Sequence, residues 1–141
     1  MAKKPSYEPI DHTADTGIHV FGHNAKDLFQ NAAMALMDQL VEPVDLMPRQ
    51  EKRITVEGTD WPDLMVNWLR EILYLWVGGD VLVQAVQIEF ITQKRLAAHL
   101  RVDPFSEKRH QLKSEIKAVT YHQIQVFDTG NRWEAKVIFD T

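Results

Sequence analysis

The chain has 141 residues, 45% of them apolar and 26% charged, with no cysteine and a formal net charge of −4 at pH 7. That balance describes a folded domain large enough to bury a core and excludes a disordered chain. The acidic balance argues against a free-standing nucleic-acid binder, which carries a strongly basic face. The missing cysteines exclude disulfides, thiolate nucleophiles and cysteine zinc sites.

The opening residues, MAKKPSYEP, lack the apolar stretch of a signal peptide. No apolar run is long enough to span a bilayer. The expected location is therefore cytoplasmic, with no membrane partner.

The first segment with chemical content is DHTADTG. Two carboxylates, Asp11 and Asp15, and the imidazole of His12 fall within five residues. Such a cluster is either a metal or catalytic site or a polar turn whose carboxylates bond turn backbone. The local spacing leaves both open.

From Gly17 to Gly22, Ile18 and Val20 alternate with His19 and Phe21, the period of a short strand. Asn24 stands at a helix N-cap, with Asp27 three residues on. Leu28, Ala32, Leu36 and Leu40 then form one stripe, so a helix is expected from Ala25 to Leu40. Pro43 and Pro48 bracket a loop. Ile54 and Val56 alternate with charged neighbours in EKRITVEG, a half-exposed strand.

Asp60 is the next N-cap, and Pro62 is tolerated in the first turn, where its missing N–H costs little. Leu64, Trp68, Ile72 and Trp76 recur on one face of a helix expected over Trp61 to Val77, ended by Gly78-Gly79. Arg70 falls on its exposed face.

The period then changes. VLVQAVQIEFITQ reads as one long strand with a phase slip between Ala85 and Val86, the mark of a bulge. Leu96 to Val102 alternates as the next strand, and DPFSEKRHQLKS is a polar connection. Its basic groups, Lys108, Arg109, His110 and Lys113, form either a solvated face or a cationic patch for RNA phosphate or an acidic partner. Alternation resumes from Glu115 to Phe127 and again through Trp133, Ala135, Val137 and Phe139. Asp128-Thr129-Gly130-Asn131 is a hairpin turn between them.

This order predicts an α+β fold: a single domain over residues 1–141, two amphipathic helices packed on a mostly antiparallel (mixed) sheet. The two strand–helix–strand units also suggest a weak internal duplication.

Motifs for familiar chemistry are absent. There is no GxxxxGK[ST] or GxGxxG phosphate loop, no HExxH and no GxSxG elbow. Two places remain besides DHTAD. In KAVTYH, strict alternation sends Lys117 and Tyr121 to one face and Thr120 and His122 to the other. Lys117 and His122 thus share a pocket only if a bulge intervenes. At the end, Asp140 and the main-chain carboxylate of Thr141 offer several oxygen ligands of the kind taken by hard divalent cations. Apolar alternation running up to Phe139 argues that this end is held in the sheet and not frayed.

DHTADTG, VNWLREILYLW, HQLKSEIKAVTYH and WEAKVIFDT, in this order, resemble the archease family over nearly the whole chain. The resemblance implies an accessory protein and not an enzyme. Its implied partner is the GTP-dependent tRNA-splicing RNA ligase, which joins 3′-phosphate or 2′,3′-cyclic phosphate ends to 5′-hydroxyl ends. The implied role is promotion of ligase guanylylation and multiple turnover, with RNA and GTP contacted indirectly through the ligase.

The resemblance also implies a divalent-metal site (Ca²⁺, Mg²⁺ or Mn²⁺) made by Asp15, Asp140 and Thr141. Asp11 and His12 are its neighbours, and Lys117 and His122 are further functional candidates. The chain departs from the family in ending on Thr141, where a larger apolar residue is usual. Many members also carry a polar neutral residue at the position of Arg70. Two other readings stand beside this one. The first is a metal-dependent phosphoesterase using an Asp15/Asp140 ion with His122 as proton donor. The second is a metal-independent interaction or chaperone-like module.

Overall fold

The computed structural model describes residues 6–11, 16–42 and 50–141; for Asp11 it describes the backbone. The elements are β1 (Tyr7–Asp11), β2 (Thr16–Gly22), α1 (Ala25–Leu40), β3 (Gln50–Glu57), α2 (Trp61–Gly79), β4 (Val81–Ile91), β5 (Arg95–Pro104), β6 (Ala118–Val119), β7 (Gln125–Asp128) and β8 (Trp133–Asp140).

The caps explain where the helices begin. The Asn24 side chain accepts from the Asp27 N–H at 2.8 Å, and Asp27 accepts from the His23 N–H at 2.9 Å. Asp60 and Asp63 repeat the arrangement, with Asp63 N–H to Asp60 and Thr59 N–H to Asp63 both at 2.9 Å. In each case one donor of the first turn and the N–H of the residue just before the cap are satisfied reciprocally.

The similarity extends further. Asn31 donates to the Phe21 carbonyl and Asn67 to the Glu57 carbonyl, the same offset in both units. Gly22 and Gly58 sit where an added Cβ would come within 2.7 Å of the Cα of Leu28 and of Leu64. The pattern G-x-[N/D]-x-x-D-L-x-x-N thus builds one strand-to-helix joint twice.

α1 has the expected bounds. α2 does not stop at Gly78-Gly79: both glycines lie inside the helix. The left-handed cap is Asp80 (φ 52°), whose N–H bonds the Leu75 and Trp76 carbonyls. An aspartate tolerates that conformation, so the reversal falls where geometry requires it and not at the nearest glycine.

The α+β class with two helices on antiparallel strands is as expected, but the strands divide between two sheets. One has the order β1-β2-β8-β6, with β7 also on β8; the other is β3-β5-β4. Pairing is antiparallel throughout the described strands. α1 packs on β2 and β4, and α2 on β3, β4, β6 and β7, so each helix touches both sheets. Trp68 sits fully buried where the helices meet, its indole N–H on the Phe29 carbonyl at 2.8 Å.

Three expectations change in detail. β4 shifts register at Val83/Ala85 and again at Ile88/Phe90, so the expected slip near Ala85 is the first of two bulges. The segment 115–127 is not one strand. It makes only the two residues of β6, turns, and resumes as β7. Tyr121 O accepts from Ile124 N–H to close that turn, with Gln123 at φ 53°.

The connection after β5 is a solvated basic face only in part: Lys108 and Lys113 are exposed, but Arg109 and His110 turn inward. Asp103 is fully buried and takes both guanidinium nitrogens of Arg109, at 2.8 and 2.9 Å. His110 is buried as well, with Nε2 3.1 Å from Asp103, while its Nδ1 accepts from the Ser106 N–H. A buried carboxylate requires such partners.

Candidate functional site

β8 lies between β2 on one side and β6 and β7 on the other. Its alternate residues Ala135, Val137 and Phe139 are buried toward the helices, which commits Lys136 and Asp140 to the outer face. The apolar alternation thus holds the strand up to Asp140, as expected of a chain end built into the sheet.

Pairing decides what meets there. Ala118 is opposite Asp140, and the Lys117 N–H donates to the Asp140 carbonyl at 2.7 Å. On the other flank Thr16 is opposite Phe139. Asp11 is opposite Thr16 in turn, so its backbone joins the same end of the sheet. His12 and Asp15 lie outside the described residues, as does the Asp11 side chain.

Lys117 and Asp140 are therefore brought together through the backbone, and both side chains are exposed. His122 is exposed too but belongs to the turn beyond Thr120. Its N–H bonds the Thr120 hydroxyl at 3.2 Å, and Thr120 is tied to the Ile138 carbonyl. That places His122 further from the chain end than Lys117.

The turn itself is anchored from α2. The Tyr121 hydroxyl donates to Asp63 at 2.6 Å, the Arg70 guanidinium lies 4.8 Å from the Tyr121 ring, and Arg70 Nε donates to the Val119 carbonyl at 3.1 Å. The Tyr121 hydrogen bond, ahead of the Thr59 N–H, holds the Asp63 carboxyl below the usual carboxylate range. The same bond is the main cause that raises the Tyr121 phenol. Arg70 is on the exposed face as expected, yet it braces β6. The Asp63–Arg70–Tyr121 brace escaped the sequence reading because its members are far apart in the chain; the lone signal was an aromatic within a polar strand.

As to a metal, the Asp140 side chain makes no ion pair among the described residues, and Asp140 with the carboxylate of Thr141 supplies hard oxygen donors. Among the described residues no group of three or more histidine or acidic side chains is placed to hold an ion.

The family model described as the archease protein family (MTH1598/TM1083) matches residues 7–141. The chain belongs to the archease family. It is similar to the archease of Archaeoglobus fulgidus, 34% identical over 136 residues and covering 95% of this chain and 98% of that one. It is 30% identical to the archease of Methanosarcina mazei over 138 residues, 95% and 94% of the two chains.

Among solved structures it resembles the solution structure of Methanobacterium thermoautotrophicum protein 1598, with a TM-score of 0.77 and 26% identity over 97% of this archease and 99% of that chain. The fold also matches a Thermotoga maritima archease described as a possible chaperone, with a TM-score of 0.65 at 22% identity. No helix among the described residues is long and apolar enough to cross a membrane.

Proposed function

We infer that this archease is a protein cofactor of the GTP-dependent tRNA-splicing RNA ligase: it promotes ligase guanylylation and turnover and has no reaction of its own. The observation that carries the reading is the end of β8, where Asp140 is exposed on a rigid central strand with Lys117 bonded beside it. An acidic end with few cationic partners is suited to present a divalent ion, and a lysine next to it to meet phosphate or a partner carboxylate.

In this reading Asp140, the Thr141 carboxylate and Asp15 hold the ion (Ca²⁺, Mg²⁺ or Mn²⁺), with Asp11 and His12 adjacent. Asp15 enters this reading from the family resemblance alone. A divalent ion held there would supply positive charge toward a nucleotide phosphate in the ligase. The chain's own residues position that charge, and Lys117 adds a second cation. The phosphoesterase alternative calls on His122 as proton donor at this end, and His122 belongs instead to the turn beyond Thr120.

The test is guanylylation of the cognate ligase by GTP with substoichiometric archease, comparing wild type with Asp140→Ala. Acceleration by wild type alone supports both the role and the site. Acceleration by both keeps the role and discards the site. No acceleration by either, with active ligase, discards the role in favour of a chaperone-like module.

A further inference from the structure

The strand-to-helix joints at Gly22 and Gly58 belong to two matching halves, and the match extends into the hairpins. In β7–β8 the Thr129 N–H donates to the Arg132 carbonyl, and the Thr129 hydroxyl accepts from the N–H groups of Asn131 and Arg132. In β4–β5 the Thr92 N–H donates to the Arg95 carbonyl, and the Thr92 hydroxyl accepts from those of Lys94 and Arg95. Each hairpin lies against the strand of one joint, so β2-β8-β7 repeats as β3-β5-β4. The match stops at the outer edge. β2 carries β1 on its other side, whereas β3 has no strand there among the described residues.

The edge of β3 is competent to pair. The Gly58 N–H donates to the Lys94 carbonyl, so β5 is bonded by Gly58 and every second residue before it. Arg53, Thr55 and Glu57 therefore turn their N–H groups away from β5, where these meet no acceptor among the described residues. Phe21, the match of Glu57, uses the same group to bond the Ser6 carbonyl beside β1, at 3.0 Å. Charge on β3 does not close the edge, because Arg53 reaches across the sheet to Glu89 and Glu51 to His99.

The helix beside it shows what kind of strand fits. In the first half the Tyr7 hydroxyl of β1 donates to Asp38 and accepts from Gln39 on α1, and Ala35 is buried. Counted from the caps Asn24 and Asp60, the matching residues of α2 are Tyr74, Leu75 and Glu71. Tyr74 is 70% exposed, and Glu71 is exposed as well. Ile54 is half-buried, whereas its match Ile18 is fully buried. The second half thus keeps the open seat of a strand, and a tyrosine and a leucine in place of Asp38 and Gln39 suit an apolar side chain there.

We propose that the free edge of β3 is a docking site for an extended peptide segment of a partner protein, added antiparallel to β3 as β1 is to β2. The register of β1 fixes which side chains face α2. Tyr7, Pro9 and Asp11 stand opposite Val20, Ile18 and Thr16. Three alternate residues of the partner strand accordingly stand opposite Val56, Ile54 and Lys52. The first two meet Tyr74, Leu75 and Ile54 and are apolar. The third meets Lys52, an exposed cation without an ion pair among the described residues, and is acidic. Main-chain bonds to Arg53 and Thr55 supply affinity, and the three side chains supply selectivity. The site is on the other sheet from Asp140 and does not depend on the ligase or on a metal.

The test is two-dimensional amide NMR of the full chain, without ligase, titrated with the capped peptide Ser-Phe-Thr-Ile-Thr-Asp. Wild type is compared with Thr55→Pro and Tyr74→Ala, with thermal melts confirming that each variant folds. Thr55→Pro removes an N–H that β5 does not use, a change an edge strand tolerates, and Tyr74→Ala trims an exposed ring. Peptide that shifts the Arg53 and Glu57 amides of wild type, slows their exchange with solvent and binds both variants at least tenfold more weakly supports the site. No shift at millimolar peptide overturns it, as does binding that either variant leaves unchanged. Slow exchange of the Arg53 and Thr55 amides before peptide is added also overturns it, because the edge is then already occupied. So does a wild-type dimer that Thr55→Pro dissociates, which gives the edge to a second copy of the chain.

Discussion

Gln123 and Asp80 share left-handed backbone, at φ 53° and 52°, but for different reasons. Asp80 ends α2, where its negative charge also faces the carbonyl end of the helix dipole. Asp80→Gly removes both costs and is expected to stabilise the protein by about 1 kcal/mol, read as a higher urea midpoint at unchanged slope. Gln123→Gly should act in the same direction by a similar or smaller amount. At Tyr121 the informative variable is pH. Asp63 titrates below its ordinary value, so its contribution is present above about pH 4 and lost on acidification through the folded-state value. Tyr121 titrates above its ordinary value, so its contribution is present below about pH 10 and lost as pH rises through the folded-state value. Tyr121→Phe, which keeps the ring under Arg70, is expected to flatten both limbs of the urea midpoint plotted against pH. Unchanged limbs would mean the hydroxyl bond to Asp63 carries no linkage.

At the scale of elements, the joints Gly22–Leu28 and Gly58–Leu64 show what a single chain discloses about its own structure. Caps at Asn24 and Asp60, both helix starts, and the strands ending at Gly22 and Glu57 follow from local rules, because each is satisfied within a few residues. Ala substituted at Gly58 would push Cβ to 2.7 Å from the Cα of Leu64, a backbone atom that yields only if α2 shifts. Gly58→Ala is therefore expected to cost about 1–3 kcal/mol by denaturant unfolding, and Gly22→Ala about the same, since the two joints match. Asp60→Ala should cost about 1 kcal/mol for its lost cap. What local rules miss is set by distant partners. The break between β6 and β7 depends on Asp63 and Arg70, some fifty residues upstream, which draw Tyr121 toward α2. The division of strands into two sheets depends on helices that touch both, and a hydrophobic period names a buried face without saying what covers it. The burial of His110 against Asp103 was hidden for the same reason: a run of basic residues looks solvated until its carboxylate is found.

For the whole molecule, the end of β8 has two tasks that adjacent residues divide. Phe139 points into the common core, 1% exposed, opposite Thr16 and Val119, while Asp140 points out of it. The alternation that made this end legible in the sequence is also what separates the tasks, because a period of two sends neighbours to opposite faces. The candidate ligands were legible only in part. Asp140 and Lys117 are brought together by pairing that composition does not reveal, and Asp15 was assigned by family resemblance. The separation predicts a contrast. Phe139→Ala removes a buried aromatic from the layer on which β2, β6 and both helices converge, and should cost about 3–5 kcal/mol. Asp140→Ala trims an exposed side chain with no ion pair among the described residues and should change stability by less than about 0.5 kcal/mol. Both are measured by urea unfolding monitored through tryptophan fluorescence and far-ultraviolet circular dichroism, whose coincidence establishes a single transition. If Asp140→Ala is as destabilising as Phe139→Ala, its effect on ligase guanylylation reports folding and not the site. If it folds like wild type, any loss of stimulation belongs to the carboxylate.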